Sequence, residues 1–474
     1  MSILKEAKIG ILWTFMKQFS IQIINFCVQI ILARILLPEE FGLIAMITVF
    51  IAVGQSLMDS GLTSSLIRFP NVTNKDYSTV FWTNLVISFF VYVIVWSIAP
   101  QIAVFYNQDV LKGLLRIYSL SFVINSLNAV QIAKLTKELN FKSQFYFQFP
   151  SVLIAAIIGI YLAYSGYGVW SIVYLNLVQA FFFVIITWFY SKWKPDFFFD
   201  RELFKKHFSF GYKLTISGLL DTIYQNLYKI LIGKYFAPAA VGYFSQADNL
   251  RLFPVNQLSA ILDKVTFPLF SNLNDDIHLK SAFRKAMNIV LSISAGGMII
   301  LILIAKPFIT LILGVKWEPS VYYFQILCIA SVFRPLGAYN LNILKVKGRS
   351  DLFLKVEVIK KIIGVVAIII SIPFGIEGLV WGLCLTNVFF AYFNGSFSGK
   401  FINYTVIAQL KESLSILVIS ILPIPLCLVV KNLILVESIY IIIGLPIIYL
   451  IQYFILSLIF NKELIREMKR FIKV

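Results

Sequence analysis

Histidine and cysteine are scarce in this chain of 474 residues, with two of the first and four of the second. His207 and His278 stand far apart and neither belongs to an H-E-x-x-H pattern, so a histidine metal site has no starting point. Both lie in polar stretches between apolar runs, and a surface position is expected for each. Cys27, Cys328, Cys384 and Cys427 are widely separated inside apolar runs. They have neither metal-ligand spacing nor the pattern of a disulfide framework, and read as small apolar packing residues. Charge is scarce too: Asp, Glu, Lys and Arg make up 14% of the chain, against about 25% in soluble domains. That excludes a cytosolic enzyme, a secreted disulfide scaffold and a disordered chain. The run Gly395-Ser396-Phe397-Ser398-Gly399-Lys400-Phe401 has the wrong spacing for a phosphate-binding loop and no hydroxyl after the lysine. No ATP site is evident, so the driving force is expected to come from an ion gradient, the membrane potential or the substrate's own gradient. No cofactor and no metal are expected.

What the chain has is hydrocarbon. Apolar residues make up 59% and the mean hydropathy is +0.85, in continuous runs rather than the alternation of a membrane barrel. At about 20 apolar residues per crossing, fourteen spans are read: 9–33, 43–66, 79–105, 113–133, 147–165, 169–191, 208–233, 241–263, 286–311, 320–343, 357–373, 376–398, 413–430 and 437–460. The first apolar run is too long for a cleaved signal peptide and is read as an uncleaved span. Of the 41 Lys and Arg, 29 fall on the side of the termini, seven on the other side and five within spans. Both termini are therefore expected in the cytoplasm. The net charge of +18 becomes largely a topology signal, and no nucleic-acid partner is expected. The fold class is an all-α polytopic membrane protein with about fourteen transmembrane helices.

The chain repeats itself. Leu32-Ala33-Arg34 through Pro38-Glu39-Glu40-Phe41-Gly42 is echoed 200 residues later by Ile232-Gly233-Lys234 through Pro238-Ala239-Ala240-Val241-Gly242. Each has a small residue, a base, then Pro and Gly four apart, the residues that end one helix and permit a tight turn into the next. Leu127-Asn128-Ala129 with Lys137 matches Leu336-Gly337-Ala338 with Lys347, and Tyr167-Gly168-Val169 matches Phe374-Gly375-Ile376. The expected domains are an N-terminal six-helix bundle, 1–192, a C-terminal six-helix bundle, 193–400, and an appended pair with a basic cytoplasmic tail, 401–474. The repeats run parallel, and transporters built this way hold substrate between the two bundles.

Charge within a span costs roughly 2.5–3.5 kcal/mol at a helix centre. The spans nevertheless hold the bases Lys17, Lys213, Lys229, Arg251 and Arg334 and the acids Asp59, Asp221, Asp248 and Asp263. Most must line a wet cavity, pair, or reach a span end. Their order suggests a cavity. Gln18, Gln22, Asn25 and Gln29 share one face of span 1, and Lys213, Ser217, Asp221, Gln225 and Lys229 form a stripe along span 7. At the offset of 200, Asn25 falls on Gln225 and Gln29 on Lys229. The competing reading is that these polar side chains only join helices together.

Spans arranged six, six and two, the start Gly10-Ile11-Leu12-Trp13, the Leu32-to-Gly42 stretch, Gly54-Gln55-Ser56-Leu57-Met58-Asp59-Ser60-Gly61 and Lys347-Gly348-Arg349-Ser350-Asp351 together resemble the polysaccharide transporter family. That family lies within the multidrug/oligosaccharidyl-lipid/polysaccharide exporter superfamily, and the likeness is to oligosaccharide flippases of the colanic-acid exporter type. The resemblance implies a transporter, not an enzyme, in the bacterial inner membrane. It would carry an undecaprenyl-pyrophosphate-linked oligosaccharide to the outer leaflet for surface polysaccharide synthesis, by alternating access. Membrane lipid is an implied partner and polysaccharide polymerase machinery a candidate one. On this reading the candidate substrate-binding residues are Lys17, Gln18, Gln22, Asn25, Gln29, Lys213, Gln225, Lys229, Arg251 and Arg334. Arg251 and Arg334 are favoured for pyrophosphate, because guanidinium binds phosphate oxygens bidentately. The alternative is a cation-coupled drug or small-molecule antiporter of the same superfamily, with Asp59, Asp221 and Asp248 as ion-coupling candidates. A membrane polymerase or glycosyltransferase would need a large acidic or histidine-bearing outer loop, and the expected outer loops are short.

Overall fold

The structure is a computed structural model that describes residues 3–59, 61–271, 273, 275–433 and 438–461, and among them it contains helices and no strands. The helices are α1 (Ile3–Ile35), α2 (Pro38–Asp59) with its short continuation α3 (Leu62–Arg68), α4 (Asn74–Tyr106), α5 (Val110–Tyr118) with α6 (Leu120–Lys137), α7 (Phe141–Tyr164) and α8 (Val169–Tyr190). They continue with α9 (Arg201–Tyr235), α10 (Pro238–Ser271), α11 (Asp276–Leu303) with α12 (Ala305–Ile312), α13 (Ser320–Val332) with α14 (Arg334–Val346), α15 (Ser350–Ser371) and α16 (Gly375–Ser398). The last are α17 (Val406–Ile421) with α18 (Ile424–Leu433) and α19 (Ser438–Phe460). Among the described residues, the spans read from hydropathy fall on these helices or on broken pairs to within a residue or two. Among the described residues, eleven stretches are long and apolar enough to cross a membrane, one of which, Ser350–Phe401, contains both α15 and α16. The long helices α9 and α10 are not among the eleven; they carry the polar residues of predicted spans 7 and 8.

Local chemistry sets the ends. α2 opens with Pro38 at its first position and Glu39 and Glu40 in its first turn, with the Leu37 amide donating to Glu40 Oε2 at 2.7 Å; acids there favour the positive end of the helix dipole. Asp200 caps α9 by accepting from the amides of Glu202 and Leu203, and Thr73 with Asp76 forms a reciprocal capping box on α4. The broken pairs include the fourth and tenth predicted spans, α5–α6 and α13–α14, six spans apart, as the repeat expected from the sequence would place equivalent spans.

Large apolar side chains cover the outside: Ile157 is 70% exposed, Phe189 81% and Val104 71%. Such a surface is stable only in hydrocarbon. Lipid removes the hydrophobic drive between helices and leaves close packing and hydrogen bonds to hold them. Leu62, Leu66, Phe81, Val130 and Trp193 form one such packed cluster.

The chain divides into two compact units, Met1–Gly242 and Tyr243–Val474. The first unit includes α9, which the repeat puts at the head of the second copy; there α9 lies along α2, α3 and α4. The boundary between the units therefore falls after α9 and not before it. The two echoed turns meet in this unit. A Cβ on Gly42 would stand 1.8 Å from the Pro238 carbonyl oxygen, and one on Gly242 would stand 2.0 Å from that of Pro38. Each turn needs its glycine because the other turn's backbone occupies the side-chain space. At the other end of α9, Gly61 has φ of +63° and comes so close to Gly211 that a Cβ would stand 2.4 Å from the Gly211 carbonyl oxygen. Backbone contacts thus hold α9 and the turn after it against α2 and the α2–α3 junction.

Candidate functional site

The predicted polar residues of α1 and α9 fall in the first unit. Lys17 is half-buried and its Nζ donates to Gln144 Oε1 on α7 at 3.0 Å. Gln18 and Asn25 are exposed, while Gln22 and Gln29 are half-buried and take part in interactions. On α9, Lys213, Ser217 and Gln225 are exposed, and Asp221 and Lys229 are half-buried, with Asp221 engaged by a neighbour. The side chains of Asp59, Asp263 and Lys264 lie outside the described residues, as does the basic tail after Asn461.

In the second unit the structure joins two of the predicted residues. Arg251, 7% exposed, donates from Nε and Nη2 to Asp248 Oδ1 at 2.9 and 2.6 Å, and from Nη1 to Ser331 Oγ at 2.8 Å. The acid proposed for ion coupling is therefore the partner of the arginine proposed for pyrophosphate. These bonds use three of the five guanidinium N–H groups and leave two. Ser331 sits just before the α13–α14 break, and Arg334 opens α14 just after it and is exposed.

The first unit also holds polar space that the sequence reading did not single out. A cavity of about 430 Å³ is lined by Gln55, Thr63, Asn125, Asn128 and Thr136 with Phe183. A second, of about 380 Å³, shares Gln55, Asn125 and Phe183 and adds Gln148, Asn176 and Gln179. No lining residue of either is charged. Asn125 Nδ2 donates to Gln55 Oε1 over a long 3.4 Å. Asn128 is 3% exposed, and neither atom of its amide has a hydrogen-bond partner among the described residues. The available signal was the pairing of amides three apart, Asn125 with Asn128 and Asn176 with Gln179, inside apolar runs.

The expected surface position fits His278, whose side chain is 78% exposed beside Asp275. It is wrong for His207, which has no exposed surface. Its Nε2 lies 3.0 Å from Asp76 Oδ1 and its Nδ1 2.6 Å from Ser65 Oγ. Asp76 Oδ1 also accepts from Lys206 Nζ at 3.1 Å, and its Oδ2 from the Thr73 amide and hydroxyl at 2.9 and 2.6 Å. Lys137 Nζ donates nearby to the carbonyls of Leu66, at 3.0 Å, and Phe69. The helix explains the error. α9 begins at Arg201, about two turns before the apolar run at 208, and this polar overhang packs against α3 and α4. Burial pushes the His207 imidazole below its ordinary range; Asp76 pulls it up, and the Lys206 and Lys137 ammoniums push it down.

Residues 31–322 match the model of a family described as polysaccharide biosynthesis protein. The chain is 28% identical over 358 residues to the teichuronic acid biosynthesis protein TuaB of Bacillus subtilis (strain 168), covering 74% of this chain and 73% of that one. It is 25% identical over 362 residues to the lipopolysaccharide biosynthesis protein WzxC of Escherichia coli (strain K12), covering 76% and 74%. Among solved structures, the lipid II flippase MurJ in an inward closed conformation superposes with a TM-score of 0.76 at 16% identity, over 96% of this chain and all of that one. That likeness is one of fold. With well over half of its length matched, the chain belongs to the polysaccharide biosynthesis protein family.

Proposed function

We propose that this chain is a flippase of the bacterial inner membrane, moving an undecaprenyl-pyrophosphate-linked oligosaccharide from the cytoplasmic to the outer leaflet for surface polysaccharide synthesis. The observation that carries the reading is the stripe on α9. A helix long enough to cross the membrane, and too polar to be a lipid-facing span, keeps Lys213, Ser217 and Gln225 exposed at the surface of its unit. Polar and basic groups at membrane depth are stable against water or a polar ligand and costly against lipid. A pyrophosphate head needs cations, and sugar hydroxyls need groups that both donate and accept. Family membership and the names of the relatives support the same reading. Arg251, with two N–H groups to spare, and Arg334 are assigned to the pyrophosphate, and the lipid tail stays in the bilayer. The two six-helix bundles act by alternating access, with both termini in the cytoplasm.

Deleting the gene from its host is expected to abolish the surface polymer and leave the lipid-linked oligosaccharide facing the cytoplasm, with both restored by a plasmid copy. Expression in a strain stripped of drug exporters is expected to confer no resistance. Normal polymer in the deletion strain would overturn the reading; drug resistance with normal polymer would favour the antiporter.

A further inference from the structure

We propose that the two amide-lined cavities inside the first unit, which share Gln55, Asn125 and Phe183, are a subsite for the uncharged sugar part of the substrate, with Asn125 and Asn128 as its specificity-determining hydrogen-bonding groups. The inference rests on the flippase reading and goes further, because it separates the place where sugar is read from the basic residues assigned to pyrophosphate.

Three observations carry it. The walls bring Gln55, Asn125, Asn128, Gln148, Asn176 and Gln179 together with no charged residue. Lacking acids, the space does not suit a cationic drug or a sodium ion; lacking bases, it does not suit a phosphate. Carboxamides both donate and accept, as sugar hydroxyls do. The Asn128 amide is buried with both its atoms unpartnered, and buried polar atoms in folded proteins are rarely left so. The Asn125–Gln55 bond is long enough to yield to a better partner. Finally, Phe183 is common to the linings of both cavities, and an aromatic side chain suits the apolar C–H side of a pyranose. Each volume lies in the range of about 300–1,000 Å³ typical of small-ligand sites.

The test uses the full-length protein in lipid nanodiscs and two probes: lipid-linked oligosaccharide extracted from a host strain deleted for this chain, and undecaprenyl pyrophosphate without sugar. Wild type is expected to bind the sugar-bearing probe at least fivefold more tightly. Asn125→Ala and Asn128→Ala are each expected to remove that advantage while changing affinity for the bare pyrophosphate less than twofold. Affinity for the bare probe thus reports that each variant is folded. Equal loss of both probes, or no loss of either, would overturn the sugar subsite and leave the flippase reading standing. Failure of wild type to bind either probe would overturn both.

Discussion

Asp76→Ala is expected to destabilise the protein by about 1–3 kcal/mol, the cost of leaving buried hydrogen-bonding groups without their partner, read as a fall in its unfolding midpoint in detergent. One carboxylate holds three things at once. It caps α4 through Thr73, bonds His207 and pairs with Lys206. Alanine leaves His207 buried with nothing at Nε2, whereas the ammonium of Lys206 is exposed and its lost pair costs little. Asp76→Asn keeps an acceptor for one of these neighbours and is expected to lose less. The pH dependence follows from His207. Its folded pKa lies below the unfolded value, which is about 6.5. The opened or unfolded chain then takes up a proton that the closed one refuses. The cluster's stabilisation is therefore complete above about pH 6.5 and declines as the pH falls below it. Between pH 7.5 and 5.5 wild type is expected to lose stability, and His207→Gln to lose much less. An Asp76→Ala midpoint equal to wild type would contradict this account of how α9 is held.

Arg251→Ala is expected to have the second large effect, because it leaves the half-buried Asp248 without its counter-ion and the buried Ser331 without its donor. A stability loss of about 3 kcal/mol or more is anticipated, together with at least a tenfold fall in surface polymer. The double substitution Arg251→Met with Asp248→Leu separates the two consequences. An apolar pair of similar volume commonly replaces a buried ion pair at little cost or with a gain in stability, so folding is expected to return while polymer stays absent. Normal polymer from the stable double variant would show that Arg251 serves only to join helices, and would remove it from the pyrophosphate.

The helices were highly legible because lipid imposes a simple rule: about 20 apolar residues per crossing, all backbone bonds satisfied within the segment. The Pro38-to-Gly42 and Pro238-to-Gly242 echo was legible for a similar reason, since a backbone contact tolerates glycine alone on each side. What hydropathy could not read was the polar overhang of α9. An averaging window discards the turns ahead of an apolar run, so hydropathy places at the surface a His207 that is buried against Asp76 and Ser65. The cavities were missed for another reason. Gln55 lies on α2, Asn125 and Asn128 on α6 and Asn176 on α8, and their convergence is a property of packing. A charge in a span draws attention because of its cost, whereas a neutral amide costs less and is easily passed over. The Arg251–Asp248 pair lay three residues apart in plain view, but spacing alone could not say that these two bind each other.

The central claim is that this chain carries a lipid-linked oligosaccharide across a bilayer. The most direct measurement reconstitutes the purified protein in liposomes carrying, on the inner leaflet, lipid-linked oligosaccharide extracted from the deletion strain, and follows how fast the sugar becomes accessible to an impermeant oxidant outside. The account predicts exposure at least tenfold faster than in protein-free vesicles, and no acceleration from the folded Arg251→Met/Asp248→Leu variant. Exposure by wild-type protein at the protein-free rate would contradict it.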